Sequence, residues 1–171
     1  MTKKHTILIV DDHDIVRMGL ASLLEESDFE IVGEAGGVSE AVNQARQTKP
    51  DVVLLDVRLP DGSGVDACLK IIQDSPLTKV IMLTSYTDGE ALLQSIEAGA
   101  SGYILKQIGR DALRDSIHRV VNGETILDPS LTSNMFSEVR KGLKEIPHDK
   151  PNLTQKEHEI LLEVAQGKSN K

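Results

Sequence analysis

The sequence has few aromatic residues, one cysteine and no long apolar run. Aromatic residues make up 2% of the 171 residues and tryptophan is absent, so the core has to be built from aliphatic side chains. The single cysteine, Cys68, excludes an intramolecular disulfide and leaves no thiol partner for a metal cluster. No apolar stretch reaches the roughly 18 residues that a membrane span requires, and the start does not fit a signal peptide. We therefore expect a cytoplasmic protein without a membrane partner.

The chain is acidic, and its acidity is unevenly distributed. The formal net charge is -8 at pH 7. Residues 1–128 hold 12 Lys and Arg against 21 Asp and Glu, whereas residues 129–171 hold seven against six. The phosphate backbone of a nucleic acid requires clustered Lys and Arg, which the acidic part does not offer. This composition argues against a nucleic acid as the main partner of this chain.

Short runs rich in β-branched residues alternate with helical patterns along the first part of the chain. The five runs cover residues 6–10, 30–35, 51–56, 79–84 and 102–106, and apolar residues recur at helical spacing between them. Such alternation predicts an α/β fold with right-handed crossovers and helices on both faces of the sheet. We expect a doubly wound, five-stranded parallel sheet whose central strands are buried on both faces.

The alternation stops near residue 129. Asp128 followed by Pro129 is typical of a helix start, and residues 129–143 predict one weakly amphipathic helix. Residues 144–152 combine two prolines with charges, which is typical of a linker. A further helical pattern begins at Thr154 and the sequence ends at Lys171. Because one short helix cannot bury its apolar stripe alone, we expect an incomplete helical domain there.

Polar residues follow four of the five predicted strands. Asp11 and Asp12 follow the first strand, Asp56 ends the third, Thr84 ends the fourth and Lys106 ends the fifth. In a doubly wound sheet, ligands bind outside the carboxyl ends of the strands. We therefore expect these side chains to converge in one crevice, although they lie far apart in the sequence.

The residue types at this crevice indicate phosphoryl chemistry. Crowded carboxylates raise one another's pKa unless a cation compensates their charge. Mg²⁺ prefers oxygen ligands and is satisfied by one or two carboxylates, a carbonyl and water. With an ammonium and a hydroxyl beside it, such a site neutralises and orients an incoming phosphoryl group, and one carboxylate can act as the nucleophile.

Four motifs in order and spacing resemble the receiver domain of bacterial two-component response regulators, over about residues 1–125. They are "DD" after the first strand, "LLDVRLPDGSG" around the third, "LTS" after the fourth and "GYILK" at the fifth. The resemblance implies a flavodoxin-like fold and a sensor histidine kinase as the phosphoryl donor. It also implies a phosphoacceptor that catalyses its own phosphoryl transfer and is not a turnover enzyme.

The family's site residues carry over onto matching positions of this sequence. The resemblance implies that Asp56 accepts the phosphoryl group, that Thr84 contacts a phosphoryl oxygen and that Lys106 pairs with the acyl phosphate. Tyr103 stands at the family's aromatic switch position. The implied Mg²⁺ ligands are Asp11, Asp12, Asp56 and the backbone carbonyl of Arg58. Phosphorylation is expected to drive homodimerisation, with the pairing face left open between helix 4–strand 5–helix 5 and helix 1–helix 5.

The last residues, "LTQKEHEILLEVAQGKSNK", resemble the opening of a LuxR-type (NarL/FixJ-like) helix-turn-helix module. The second and third helices of that module would follow this segment, and the sequence stops before them. We therefore expect a truncated chain: a receiver over 1–125, a linker with a helix over 126–152 and the first helix of the module over 153–171. DNA would be a partner of the intact protein and not of this chain, because the groove-reading helix is missing.

Two other functions use similar residues. A phosphohydrolase of the haloacid dehalogenase type also uses Asp, Mg²⁺, Thr and Lys, but its nucleophile lies on strand 1, two residues before a second Asp. The adjacent pair Asp11 and Asp12, with Asp56 on strand 3, favours a receiver. A binding module without phosphochemistry is the third interpretation. His13 is not interpreted as a metal ligand, because the other histidines show no ligand spacing.

Overall fold

A computed structural model of the chain describes residues 2–85, 89–145, 159–162 and 164. Between residues 129 and 145 the described side chains are those of 129–133, 136–137 and 140–141. The strands are β1 (His5–Val10), β2 (Phe29–Ala35), β3 (Val52–Asp56), β4 (Arg58–Leu59), β5 (Gly62–Ser63), β6 (Lys79–Thr84), β7 (Gly102–Leu105) and β8 (Ile126–Leu127). The helices are α1 (Asp14–Leu24), α2 (Val38–Thr48), α3 (Gly64–Asp74), α4 (Gly89–Glu97), α5 (Arg110–Val121) and α6 (Pro129–Glu145).

One parallel sheet organises these elements. Its strand order is β2-β1-β3-β6-β7-β8, so β3 and β6 are the two central strands. The predicted doubly wound α/β sheet is therefore confirmed. The structure adds a sixth parallel strand, β8, in which Ile126 pairs with Gly102 and Leu127 with Tyr103. A strand of two residues is too short to produce a recognisable hydrophobic period in the sequence. The sequence therefore predicted five strands and not six.

The core consists of two aliphatic layers, one on each face of the sheet. Alternate strand residues point to opposite faces, so β1 sends Leu8 and Val10 into one layer and Ile7 and Ile9 into the other. Helices α2, α3 and α4 cover the first layer, and α1 and α5 cover the second. Cys68 lies fully buried in the first layer, where desolvation raises the pKa of its thiol to about 12. It is a small core residue.

The loop after β3 is tied to the start of α2. Strands β4 and β5 form a small antiparallel hairpin whose turn carries Asp61. The Asp61 carboxylate accepts hydrogen bonds from the N–H groups of Val38 (2.7 Å) and Ser39 (3.2 Å). Gly37 makes room for this contact, since a Cβ there would lie 2.8 Å from Asp61 Oδ1. Asp61 thus satisfies helix donors that Gly37, lacking a side chain, leaves unpaired.

The C-terminal part begins as the sequence predicts. Asp128 Oδ1 accepts hydrogen bonds from the backbone N–H (2.9 Å) and the hydroxyl (2.6 Å) of Ser130, at the start of α6. Leu131 is buried, and α6 packs on α4. Residues 159–162 and 164 are helical, and Leu161 and Val164 pack against the first core layer. Helix α6 continues to Glu145, so the first two residues of the linker predicted over 144–152 are helical, since they precede its first proline. The rest of that linker and the helix start at Thr154 lie outside the described residues.

No helix within the described ranges is both long enough and apolar enough to cross a bilayer.

We predict that Asp61→Ala lowers the urea midpoint of unfolding at pH 7, because α2 loses the acceptor for two N–H groups. These N–H groups lower the pKa of Asp61. The carboxylate therefore stabilises the fold fully above its unfolded pKa of about 4 and loses this effect as pH falls through its lower folded pKa. The difference in urea midpoint between wild type and Asp61→Ala should accordingly become smaller in acid.

The measurement is urea unfolding followed by far-UV circular dichroism between pH 7 and pH 3. Glu30→Ala removes an exposed carboxylate from β2 and serves as the control. An Asp61→Ala midpoint equal to that of wild type at pH 7 would contradict a stabilising cap.

Candidate functional site

The predicted site residues lie at one edge of the sheet. Strands β1, β3, β6 and β7 are consecutive neighbours in the sheet and run parallel. Asp11 follows β1, Asp56 is the last residue of β3, Thr84 ends β6 and Lys106 follows β7. The register pairs Asp56 with Leu83 and Thr84 with Leu105, which brings the strand ends level with one another. The carboxyl ends of four strands therefore deliver their polar residues to a common crevice.

Lys106 joins two of these strand ends directly. Its Nζ lies 2.6 Å from Asp11 Oδ2 and 2.9 Å from Asp56 Oδ2. The Asp11 side chain is fully buried, and the side chains of Asp56 and Lys106 are 9% and 15% exposed. The backbone N–H of Lys106 donates to the carbonyl of Thr84 (2.9 Å), which anchors the base of this side chain to β6. A single ammonium thus lies between two carboxylates in a desolvated environment.

The three groups shift one another's pKa. Burial raises the pKa of Asp11, but the hydrogen bonds from Lys106 and from the backbone N–H of His13 outweigh it and hold the pKa below its usual range. Burial also raises the pKa of Asp56, and there it prevails over Lys106, with the charge of Asp11 adding to it. Burial lowers the pKa of Lys106, but the two carboxylates more than compensate and raise it. The ammonium therefore stays charged, and Asp56 is the carboxylate left short of positive charge.

The backbone around Asp56 is closely packed. Asp56 Oδ1 accepts a hydrogen bond from the N–H of Arg58 (3.2 Å), which orients the carboxylate. Gly64 approaches from the start of α3, where its N–H donates to the carbonyl of Val57 (2.8 Å). A Cβ at Gly64 would lie 1.9 Å from the Asp56 carbonyl oxygen, so only glycine fits. Gly64 is the last residue of the motif "LLDVRLPDGSG", and its position at the start of a helix was the sequence signal for this role.

Asp12 lies at the outer rim with His13. The Asp12 side chain is about one third exposed, and its Oδ1 lies 2.9 Å from His13 Nδ1. The same nitrogen lies 3.2 Å from Asp11 Oδ1, which also accepts the backbone N–H of His13 (2.9 Å). Within the described part of the chain, Asp11, Asp12 and His13 form the one group of three potential ligand atoms within 4.8 Å of one another. His13, set aside in the sequence analysis, therefore contacts both carboxylates.

Thr84 and Tyr103 are both buried near the crevice. Thr84 is 5% exposed and Tyr103 is 3% exposed. Because β6 pairs Thr84 with Leu105, Tyr103 lies two residues earlier on the adjacent strand. Tyr103 borders an apolar cavity of about 60 Å³ that is also lined by Leu92 of α4 and Val164. Tyr103 thus lies between the crevice and the side of the domain where Ile160 and Val164 line the cavity.

The charge balance and the ligand atoms of the crevice decide whether a metal ion fits there. Asp11, Asp12 and Asp56 supply three carboxylates against the one ammonium of Lys106, which leaves two negative charges in a partly desolvated place. Uncompensated charge of this kind is costly, and a divalent cation offsets it. All the candidate ligands except His13 are oxygens, which suits a hard ion such as Mg²⁺. The residues present therefore fit a hard divalent cation.

Comparisons with known proteins identify the family of this chain. The model of the response regulator receiver domain family matches residues 7–118. The transcriptional regulatory protein LnrK of Bacillus subtilis is 38% identical, with 96% of this chain and 79% of the relative covered. The DNA-binding transcriptional activator DevR/DosR of Mycobacterium tuberculosis is 39% identical, with 96% and 76% covered.

A solved structure shows the same similarity. The crystal structure of a LuxR-family two-component response regulator from Aurantimonas sp. SI85-9A1 superposes with a TM-score of 0.74 at 31% identity. The superposition covers 80% of this chain and 99% of the chain from Aurantimonas. The family match, the curated relatives and the buried acid crevice at the carboxyl edge of the sheet agree, and the chain therefore belongs to the response regulator receiver family, among relatives that are transcription regulators of two-component systems.

Proposed function

We propose that Asp56 is the phosphoacceptor of this receiver and takes its phosphoryl group from a sensor histidine kinase. The observation that carries this proposal is the position of the Lys106 ammonium, 2.6 Å from Asp11 and 2.9 Å from Asp56. An ammonium that already contacts the Asp56 carboxylate is close enough to stabilise the negative charge of a phosphoryl group attached to it. Burial raises the pKa of Asp56 despite this contact, so a further positive charge beside it would favour the ionised carboxylate.

We assign a Mg²⁺ site to Asp11, Asp12, Asp56 and the backbone carbonyl of Arg58. The two unbalanced negative charges of the crevice support a divalent ion, and the oxygen ligands support a hard one. When bound, the ion supplies charge neutralisation for the phosphoryl oxygens. The hydrogen bond from the N–H of Arg58 to Asp56 Oδ1 keeps this segment of backbone next to the carboxylate.

The transfer step exchanges one bond to phosphorus for another. An oxygen of the Asp56 carboxylate attacks the phosphorus of the kinase phosphohistidine, so that an O–P bond forms while the N–P bond breaks. The electron pair of the broken bond stays on the imidazole nitrogen. Lys106 and Thr84 then contact the phosphoryl oxygens from β7 and β6. The product stays on the protein as an acyl phosphate, which makes the chain a phosphoacceptor and not a turnover enzyme.

The exposed apolar face of α1 supports a docking surface for the kinase. Ile15 is 83% exposed and Met18 is 69% exposed, although both are large apolar residues. They lie three positions apart and so share one face of the helix. Because α1 begins two residues after Asp12, this face adjoins the rim of the crevice. A helical partner that packs on Ile15 and Met18 can present a histidine to Asp56.

Tyr103 provides a route from the crevice to the rest of the chain. We propose that Thr84 moves toward the phosphoryl group and that Tyr103 fills the space it leaves. Tyr103 borders the cavity lined by Ile160 and Val164, so its movement would disturb the packing of these two residues. Homodimerisation would follow from a surface that this rearrangement alters, either α4 with β7 and α5 or α1 with α5.

The last segment fits a role in transcription. We assign residues 153–171, of which 159–162 and 164 are seen as helix, to the first helix of a LuxR-type helix-turn-helix module. The relatives DevR/DosR and LnrK are named as a DNA-binding activator and a transcriptional regulatory protein, which supports DNA as the target of the response. This role places the protein in the cytoplasm. The acidic residues 1–128 would contribute regulation, not DNA contact.

Asp56→Asn is expected to abolish phosphoryl uptake, because an amide cannot attack phosphorus as a carboxylate does. The measurement is intact mass spectrometry after incubation with acetyl phosphate and Mg²⁺, followed by peptide mapping of the wild type. Asp51→Asn, at the opposite edge of the sheet, is the control and should gain one phosphoryl group as wild type does. Phosphorylation of Asp56→Asn would show that the nucleophile is elsewhere, and steady hydrolysis of a generic phosphate ester would favour a phosphohydrolase.

Lys106→Met should lower the free energy of unfolding at pH 7 by about 1–3 kcal/mol, because two buried carboxylates lose their shared partner. Mg²⁺ should stabilise the variant more than wild type, since the crevice then holds one more unbalanced negative charge and binds the ion more tightly. The measurement is urea unfolding with and without Mg²⁺. Lys70→Met, at an exposed position of α3, is the control. Equal stabilisation of all three proteins by Mg²⁺ would place the ion outside the reach of Lys106.

Ile15→Asp should slow phosphoryl transfer from a histidine kinase that phosphorylates the wild-type chain, by about tenfold or more, because a charge replaces the apolar contact. Uptake from acetyl phosphate should change little, since that donor needs no docking surface. Leu77→Asp is the matched control, because Leu77 is 91% exposed and lies in the loop before β6, at the other edge of the sheet. Equal kinase rates for both variants would exclude α1 as the docking helix.

A further inference from the structure

Arg17 lies directly behind the acidic turn. Its Nη1 donates to the backbone carbonyl of Asp11 (2.6 Å), and its Nε donates to Glu34 Oε2 (3.1 Å). Its Nη2 pairs with Asp14. Only 17% of the side chain is exposed, so it is held between α1, the end of β2 and the turn after β1. The guanidinium touches no carboxylate of the crevice itself.

We propose that Arg17 is a positioning residue that holds the turn carrying Asp11 and Asp12 in the geometry that binds the divalent cation. The inference rests on the proposed function, in which these two carboxylates bind Mg²⁺. Arg17 lies outside the four receiver motifs. The effect of Arg17 on the metal would be indirect, through the backbone of Asp11.

The backbone of the turn is held from two sides. The N–H of Asp11 donates to the carbonyl of Ala35 at the end of β2 (3.0 Å), and the carbonyl of Asp11 accepts from Arg17. A peptide unit is planar, so fixing this carbonyl also fixes the direction in which the chain continues to the Cα of Asp12. Asp12 is the more exposed of the two carboxylates and lies on a loop, where its direction depends on such restraint.

An arginine suits this position better than a lysine. The planar guanidinium carries five N–H donors in a fixed fork, so one side chain can serve a carbonyl and two carboxylates at the same time. Glu34 and Asp14 hold the fork in place from β2 and α1, and Nη1 donates to the Asp11 carbonyl. A lysine has a single flexible ammonium and cannot hold all three partners in one orientation.

Loss of Arg17 should change Mg²⁺ affinity and leave the chemical step intact. Without the restraint, the turn adopts the metal-binding geometry for only part of the time, and the apparent dissociation constant rises by the inverse of that fraction. At saturating Mg²⁺ the ion itself selects the correct geometry, so the maximal rate of phosphoryl uptake recovers. A purely structural role would lower the folded fraction and leave the Mg²⁺ affinity of the folded molecules unchanged.

The experiment compares wild type, Arg17→Ala, Arg17→Lys and Arg46→Ala. Arg46 is the matched control, because its Nε pairs with Asp74 (2.7 Å) between α2 and α3, at a distance from the acidic turn. Mg²⁺ binding is followed by amide chemical shifts of the folded protein, and phosphoryl uptake from acetyl phosphate is measured against Mg²⁺ concentration. We expect the dissociation constant to rise about 3–10-fold for Arg17→Ala, less for Arg17→Lys and not at all for Arg46→Ala. The maximal rates of phosphoryl uptake in the four proteins should agree within about twofold, because saturating Mg²⁺ selects the metal-binding geometry of the turn.

Wild-type Mg²⁺ affinity in both Arg17 variants would overturn the proposal. So would a lower maximal rate with an unchanged dissociation constant. If Arg17→Ala does not fold, Arg17→Lys decides alone, and wild-type affinity in that variant overturns the proposal. If the wild-type protein itself binds no Mg²⁺, the proposed function fails and this inference fails with it, whereas normal wild-type binding with unaffected variants rejects only the role of Arg17.

Discussion

The contact of one ammonium with two buried carboxylates is the interaction on which the rest of the site depends. Asp11 and Asp56 are almost completely buried, and charges in such a place are tolerated only when they are paired. Lys106 pairs with both, yet one positive charge cannot balance three carboxylates. The crevice therefore keeps an excess of negative charge in the folded domain. That imbalance connects the stability of the domain with the metal and phosphoryl binding that we propose for this crevice.

The parallel sheet imposes this contact. Consecutive parallel strands end at the same edge, so the residues after β1, β3 and β7 meet there however far apart they lie in the chain. The loops then need their own restraints, because a strand fixes only its last residue. Asp61 ties the loop after β3 to α2, Gly64 lets α3 begin against the Asp56 carbonyl, and Arg17 holds the turn after β1.

Much of this arrangement could be predicted, since strands and helices follow local periods and the polar residues at strand ends interrupt them visibly. The order of four motifs was enough to suggest the family and the residues of the crevice. Three features escaped prediction for a common reason. Strand β8 is only two residues long, Asp61 caps a helix 23 residues away, and Arg17 acts on a backbone carbonyl. None of these leaves a pattern within its own segment.

The sequence by itself determined the longer strands and helices and the polar residues at their ends, because hydrophobic period, capping residues and glycine positions act over a few neighbouring residues. The tertiary structure alone decided which oxygen Lys106 contacts, why the pKa of Asp11 falls while that of Asp56 rises, and where Arg17 points. Those outcomes depend on distances of a few ångströms between segments that are remote in the chain, and such distances exist only once the strands are assembled side by side.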